Sequence, residues 1–152
     1  MLRKLIILLA IVVAVGLILR NADREDIEIL APTGPQVKVG DTVFLVDIAD
    51  APEERAQGLA GRPSLRSDQA MLFIFDRPDL YGFWMKGMFF PIDIIWIKDN
   101  QVIGFEEELD PDSSPNPKLY YPPALVDRVL EVKAGAVRER QIQIGQVVEI
   151  RL

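Results

Sequence analysis

The stretch Pro91-Ile92-Asp93-Ile94-Ile95-Trp96-Ile97, with Gln101-Val102-Ile103-Gly104-Phe105-Glu106-Glu107-Glu108-Leu109 after Asp99-Asn100, decides the fold class. Both runs are rich in β-branched and aromatic residues, short, and bounded by turn formers, which reads as strands rather than helices. Working outward, Met71 to Phe75 and Tyr81 to Met85 repeat the pattern upstream. Val37 to Asp50 reads as a hairpin around Gly40-Asp41, with Thr42 to Ile48 as its second strand, and Leu125 to Lys133 and Val147 to Leu152 close the chain as strands. Two short helices interrupt the series. One is expected over Pro52 to Ala60, started by Asp50 and Glu53 and stopped by Gly61, and a helical turn is expected near Ala136 to Arg140. Asp110 to Pro123, which carries five prolines, reads as a long loop. Regularly spaced short strands predict a mainly β domain, a small sandwich or barrel.

The amino-terminal end is a different material. Leu5 to Leu19 is an unbroken apolar run of about 15 residues, flanked by Arg3, Lys4 and Arg20. Snorkelling of the flanking cations extends this length toward a full membrane span. Cleavage sites are poor: Arg20 lies close before Ala22, and Pro32 follows Ala31. The expectation is a retained single-pass transmembrane helix over residues 1–20 and a tether over residues 21–36. The β domain then occupies residues 37–152. The alternative is a cleaved signal and a secreted or periplasmic product. Arg3 and Lys4 lie before the run and the acidic Asp23, Glu25 and Asp26 after it, so the positive-inside bias turns the domain away from the cytoplasm.

Composition removes several chemistries. The chain has no Cys and no His, so it offers no thiolate nucleophile, imidazole base, disulfide, or zinc or haem site built from those residues. No cofactor is expected, because no glycine-rich phosphate loop, nucleophile elbow or calcium-loop spacing is present. A net charge of −6, with cations scattered among carboxylates, argues against nucleic acid as a partner.

Five motifs stand in order: Gly58-Leu59-Ala60-Gly61-Arg62, Met71-Leu72-Phe73-Ile74-Phe75, Phe83-Trp84-Met85-Lys86, Pro91-Ile92-Asp93-Ile94, and Val129-Leu130-Glu131 with Ala134-Gly135. In these residues the chain from about Val43 to Leu152 resembles the family called domain of unknown function 192. It departs from the family's usual residues at Ala60, Ala70, Gly87-Met88 and Gln146. The resemblance implies a compact jelly-roll-like β-sandwich, often exported or membrane-anchored, and carries no established activity.

Alternation along Phe83 to Lys86 points Trp84 and Lys86 to one face and Phe83 and Met85 to the other, so an indole beside an ammonium forms one candidate binding surface. A core tryptophan with a solvated lysine explains the same residues. Asp93 sits in an otherwise apolar strand and needs a partner if it points inward, with Arg62 and Lys86 as the candidate cations. Glu106, Glu108, Asp110 and Asp112 offer oxygens for a hard cation, although a solvated acidic edge accounts for them equally. Tyr120 and Tyr121 are candidates for stacking on a carbohydrate or peptide. The leading expectation is a membrane-tethered extracytoplasmic binding module for a protein or carbohydrate ligand. The alternatives are an envelope-glycan hydrolase using Asp93 with one acid from Glu106 to Asp112, and an accessory subunit of a membrane complex.

Overall fold

The structure, a computed structural model, describes residues 33–152. The apolar run Leu5 to Leu19 and most of the expected tether lie outside the described residues. Among the described residues no helix is long and apolar enough to cross a membrane.

Among the described residues, nine strands and two helices follow one another as β1 (Gln36–Val39), β2 (Thr42–Ala49), α1 (Pro52–Gln57), β3 (Gln69–Asp79), β4 (Phe83–Trp84), β5 (Ile92–Lys98), β6 (Gln101–Leu109), β7 (Leu119–Tyr120), β8 (Val126–Lys133), α2 (Ala136–Glu139) and β9 (Val148–Arg151). Seven of the strands form one sheet in the order β6-β5-β8-β3-β2-β1-β9, and β4 pairs with β7. Only β2 and β3 run parallel, across the α1 crossover; every other pair is antiparallel. The sheet curls until its two edges meet at one end, where Gln101 bridges Val147 and the Val102 N–H donates to the Gln146 carbonyl at 3.0 Å. The expectation of a mainly β domain with two short helices therefore holds, the sheet being a curled seven-stranded half-barrel. The two packed sheets of a jelly-roll sandwich do not form, because one twisted sheet folds over its own core.

Central strands are buried on both faces, which is why β5 reads as a nearly continuous apolar run rather than an alternating one. One face carries Phe44, Leu72, Ile95, Ile97, Leu130 and Val132, and the opposite face carries Met71, Phe73, Ile94, Trp96 and Val129. Asp99 and Asn100, with φ of 50° and 59°, make the two-residue turn between β5 and β6, a backbone shape these two residue types tolerate best after glycine.

Three local expectations shift. The first helix ends at Gln57 rather than Ala60, because Gly58 takes φ 52° and ψ −135°, outside helical space. Its start is held by Glu54, whose carboxylate accepts the N–H groups of Asp50 and Ala51, instead of by the Asp50 and Glu53 pair. The strand expected over Tyr81 to Met85 shrinks to Phe83 and Trp84, and its partner β7 comes from within the stretch expected to be loop.

Candidate functional site

Asp93 is fully buried, as its apolar strand demands, but its partners are not cations. Oδ1 accepts the N–H groups of Glu108 at 2.8 Å and Gly135 at 3.1 Å, and Oδ2 accepts that of Val137 at 2.9 Å. The register explains the choice. β6 bulges opposite Asp93, between the Ile92/Leu109 and Ile94/Glu106 pairs, and Glu108 there takes φ 52°, which turns its N–H inward. The first turn of α2 presents unpaired amides from the other side. Arg62 instead pairs with Asp47 at 2.5 Å, and Lys86 lies exposed on another part of the surface. Asp93 is thus a structural clamp, and the expected Asp93 pair with Arg62 or Lys86 is corrected.

The other carboxylates disperse. Glu107 and Glu108 face Arg138, and Asp112 accepts the N–H groups of Ser114 and Lys118 to shape its own loop. A hydrogen bond from the Ser114 side chain, followed by these two backbone N–H groups, holds the Asp112 carboxyl below its ordinary range. Among the described residues no three acidic side chains gather closely enough to hold a metal, so the weak alternative of Glu106, Glu108, Asp110 and Asp112 as ligands has no assembled site.

A cleft of about 300 Å³ opens where α1 and the β4-β7 ribbon lie over the sheet. Phe73, Phe75, Tyr81, Phe83 and Trp84 provide aromatic walls, with Arg55, Gln57, Lys86 and Leu119 at the lining's polar and outer parts. The walls are internally fixed: Phe75 stacks on Tyr81 at 3.6 Å, and Phe73 meets Phe83 edge-on at 4.9 Å. Arg55 lies 5.3 Å over the Phe75 ring and donates to the Ile74 carbonyl. Trp84 remains 48% exposed and faces Leu119, its register partner. The expected side-chain alternation is seen, with Phe83 and Met85 buried and Trp84 and Lys86 outward.

At the floor lies Glu131, in the middle of β8 between Met71 of β3 and Ile94 of β5. It is 5% exposed, and its Oε2 has no hydrogen-bond partner. Burial pushes this carboxyl up to about 8, against a smaller opposing pull from the Arg62 cation. A Cβ placed on Gly58 would stand 3.2 Å from the Phe73 ring and 3.8 Å from Glu131 Oε2, so a side chain there would crowd the floor of the cleft.

Of the residues singled out from the sequence, Trp84 and Lys86 line this cleft, whereas Arg62, Asp93, Tyr120 and Tyr121 do not. Tyr120 sits under the Lys118 ammonium at 4.3 Å, and the Tyr121 ring fills the space beside Gly82. In the sequence Glu131 belongs to the Val129-Leu130-Glu131 motif, but alternation does not single it out, because Asp127 and Lys133 share its row on β8 and only Val129 beside it is apolar.

Among curated proteins, none matches the sequence. Two crystal structures resemble the fold. A protein of unknown function from Novosphingobium aromaticivorans DSM 12444 aligns with a TM-score of 0.70 at 28% identity, covering 75% of this chain and 83% of that one. A Sinorhizobium meliloti 1021 protein, provisionally described as a transcription regulator, aligns with a TM-score of 0.70 at 26% identity, covering 79% and 98%. The family described as Uncharacterized ACR, domain of unknown function 192, matches residues 35–150, and over that length the chain belongs to it.

Proposed function

We propose that this chain is a binding module whose site is the aromatic cleft over Glu131, held at a membrane by Leu5 to Leu19 with the cleft on the extracytoplasmic side. The observation that carries the binding reading is a 5%-exposed carboxyl with an unpartnered oxygen on the floor of a preformed, aromatic-walled cleft. Leaving such a group unpaired costs about 1–3 kcal/mol, a cost that a bound partner removes. Aromatic walls with a few fixed polar groups are the usual make-up of a small-molecule site. The tether rests on the apolar run and its charged flanks alone. A net charge of −6 gives the description attached to the Sinorhizobium meliloti relative no support here as a nucleic-acid function.

The hydrolase reading loses its residues. That reading needs Asp93 together with one acid from Glu106 to Asp112, and Asp93 is fully buried with its carboxylate taken up by three backbone N–H groups. Glu131 is the sole carboxyl lining the cleft. One observation still favours an enzyme: a carboxyl raised to about 8 is suited to act as a general acid.

Nuclear magnetic resonance on the full chain separates these readings. Ring-bearing compounds at millimolar concentration should shift the Trp84 indole signal, leave that of buried Trp96 in place, and be recovered unchanged. If a broad set shifts neither indole, the binding reading fails. Turnover abolished by Glu131→Gln would establish the general-acid reading.

A further inference from the structure

The cleft's charges and its one unpartnered oxygen indicate what kind of ligand it takes. Two cations, Arg55 and Lys86, line the cleft with Glu131, and Arg62, paired with Asp47 outside the lining, is close enough to act on the Glu131 carboxyl. No second carboxyl lines the cleft to offset Arg55 and Lys86, so the cleft presents a positive field to whatever enters. A neutral Glu131 offers a hydrogen to donate, and Oε2 has nothing in the protein to share it with. An ammonium ligand would have to ionise Glu131 and add a third cation to the cleft. A plain apolar ring would leave both the field and the carboxyl unused.

We propose that the cleft takes a small ring-bearing carboxylate, its ring against Phe73, Phe83 and Trp84 and one carboxylate oxygen accepting a hydrogen bond from the Glu131 carboxyl, with Arg55 and Lys86 matching its charge. This deepens the binding reading above and rests on it. The volume of about 300 Å³ is at the small end of ligand sites, which suits one ring and a short acid group. Gly58 is part of the device, since a Cβ there would press on the Phe73 ring at 3.2 Å and lie 3.8 Å from Oε2, narrowing the cleft beside the carboxyl. An acid-to-carboxylate hydrogen bond is of the short, strong class, and it exists only while Glu131 keeps its proton.

Benzoate, benzylamine and benzyl alcohol, titrated against the full-length chain while the Trp84 indole resonance is followed, test the assignment. Benzoate should bind at least tenfold more tightly than either of the others at about pH 6.5. Its affinity should fall roughly thirtyfold by about pH 9.5, as Glu131 ionises and repels it. Glu131→Gln keeps a donor without a titration, so it should still bind benzoate with an affinity that is flat over this range. Lys86→Met should weaken benzoate several-fold and leave benzyl alcohol unchanged. Tighter binding of benzylamine or benzyl alcohol, or benzoate binding indifferent to pH in the wild type, overturns the ligand class while the binding reading stands. Silence from all three probes overturns both.

Discussion

Replacing Glu131 by Gln should stabilise the protein, and by an amount that grows with pH. The side chain is 5% exposed, its Oε2 is unpartnered, and its carboxyl is raised from about 4.5 to about 8 by burial. Between those values the folded state holds a proton that the unfolded chain has released. Folding stability therefore falls as pH rises through this window, and is level below about 4.5 and above about 8. Each pH unit costs at most about 1.4 kcal/mol. Gln matches Glu in shape and does not titrate, so it escapes this cost. The variant should exceed the wild type by about 1 kcal/mol at about pH 5.5 and by up to about 4–5 kcal/mol at about pH 8.5. Urea denaturation of both proteins at matched pH values reads the difference directly, and urea adds no ionic screening. A stability difference that stays constant across the range, or a variant weaker at every pH, would refute a neutral buried Glu131.

Asp93→Asn should lose roughly 4 kcal/mol in the same assay, because one amide oxygen cannot serve three N–H donors and the remaining bonds lose their charge; a loss below about 0.5 kcal/mol removes the clamp. Gly58→Ala should cost about 2 kcal/mol, since φ 52° with ψ −135° suits no side chain and its methyl meets the Phe73 ring, and it should weaken probe binding as well; a neutral outcome by thermal unfolding contradicts both arguments. Intact mass of membrane-extracted protein should show the first residues still attached, and a mature chain starting near Ala22 or Ala31 would overturn the retained anchor.

The strands were legible because their cause is local: β-branched and aromatic runs bounded by turn residues, as in β5 and β6, need no tertiary information. How the sheet curls was not, since closure depends on Gln101 meeting Val147 across the full length of the sheet order. β7 was hidden for a related reason. Leu119 and Tyr120 sit among prolines and form a strand only because Phe83 and Trp84 offer them an edge. Asp93 was readable as inward, but its partners were not, because they are backbone amides exposed by a bulge and a helix start that no side-chain identity announces. Trp84 and Lys86 were found by alternation, whereas Glu131 was hidden from it, because Asp127 and Lys133 share its row on β8.

Asp93 and Glu131 are the two buried acids among the described residues, on the neighbouring strands β5 and β8, and they have opposite fates. Asp93 faces the side where the sheet folds over itself, and three amides converge on it there. Glu131 faces the side covered by α1 and the β4-β7 ribbon, where side chains rather than backbone form the roof and no donor reaches Oε2. The two are mechanically linked. By holding Gly135 and Val137, Asp93 fixes the turn that begins just after β8, and through the β5-β8 register it pairs with Val132, the residue next to Glu131. A satisfied carboxylate on one face thereby immobilises the strand that carries an unsatisfied one on the other. Glu131 cannot relieve its burial by shifting β8 toward water. The cost of that burial is held in place by the rest of the fold, which is how a binding site retains a group that stability alone would discard.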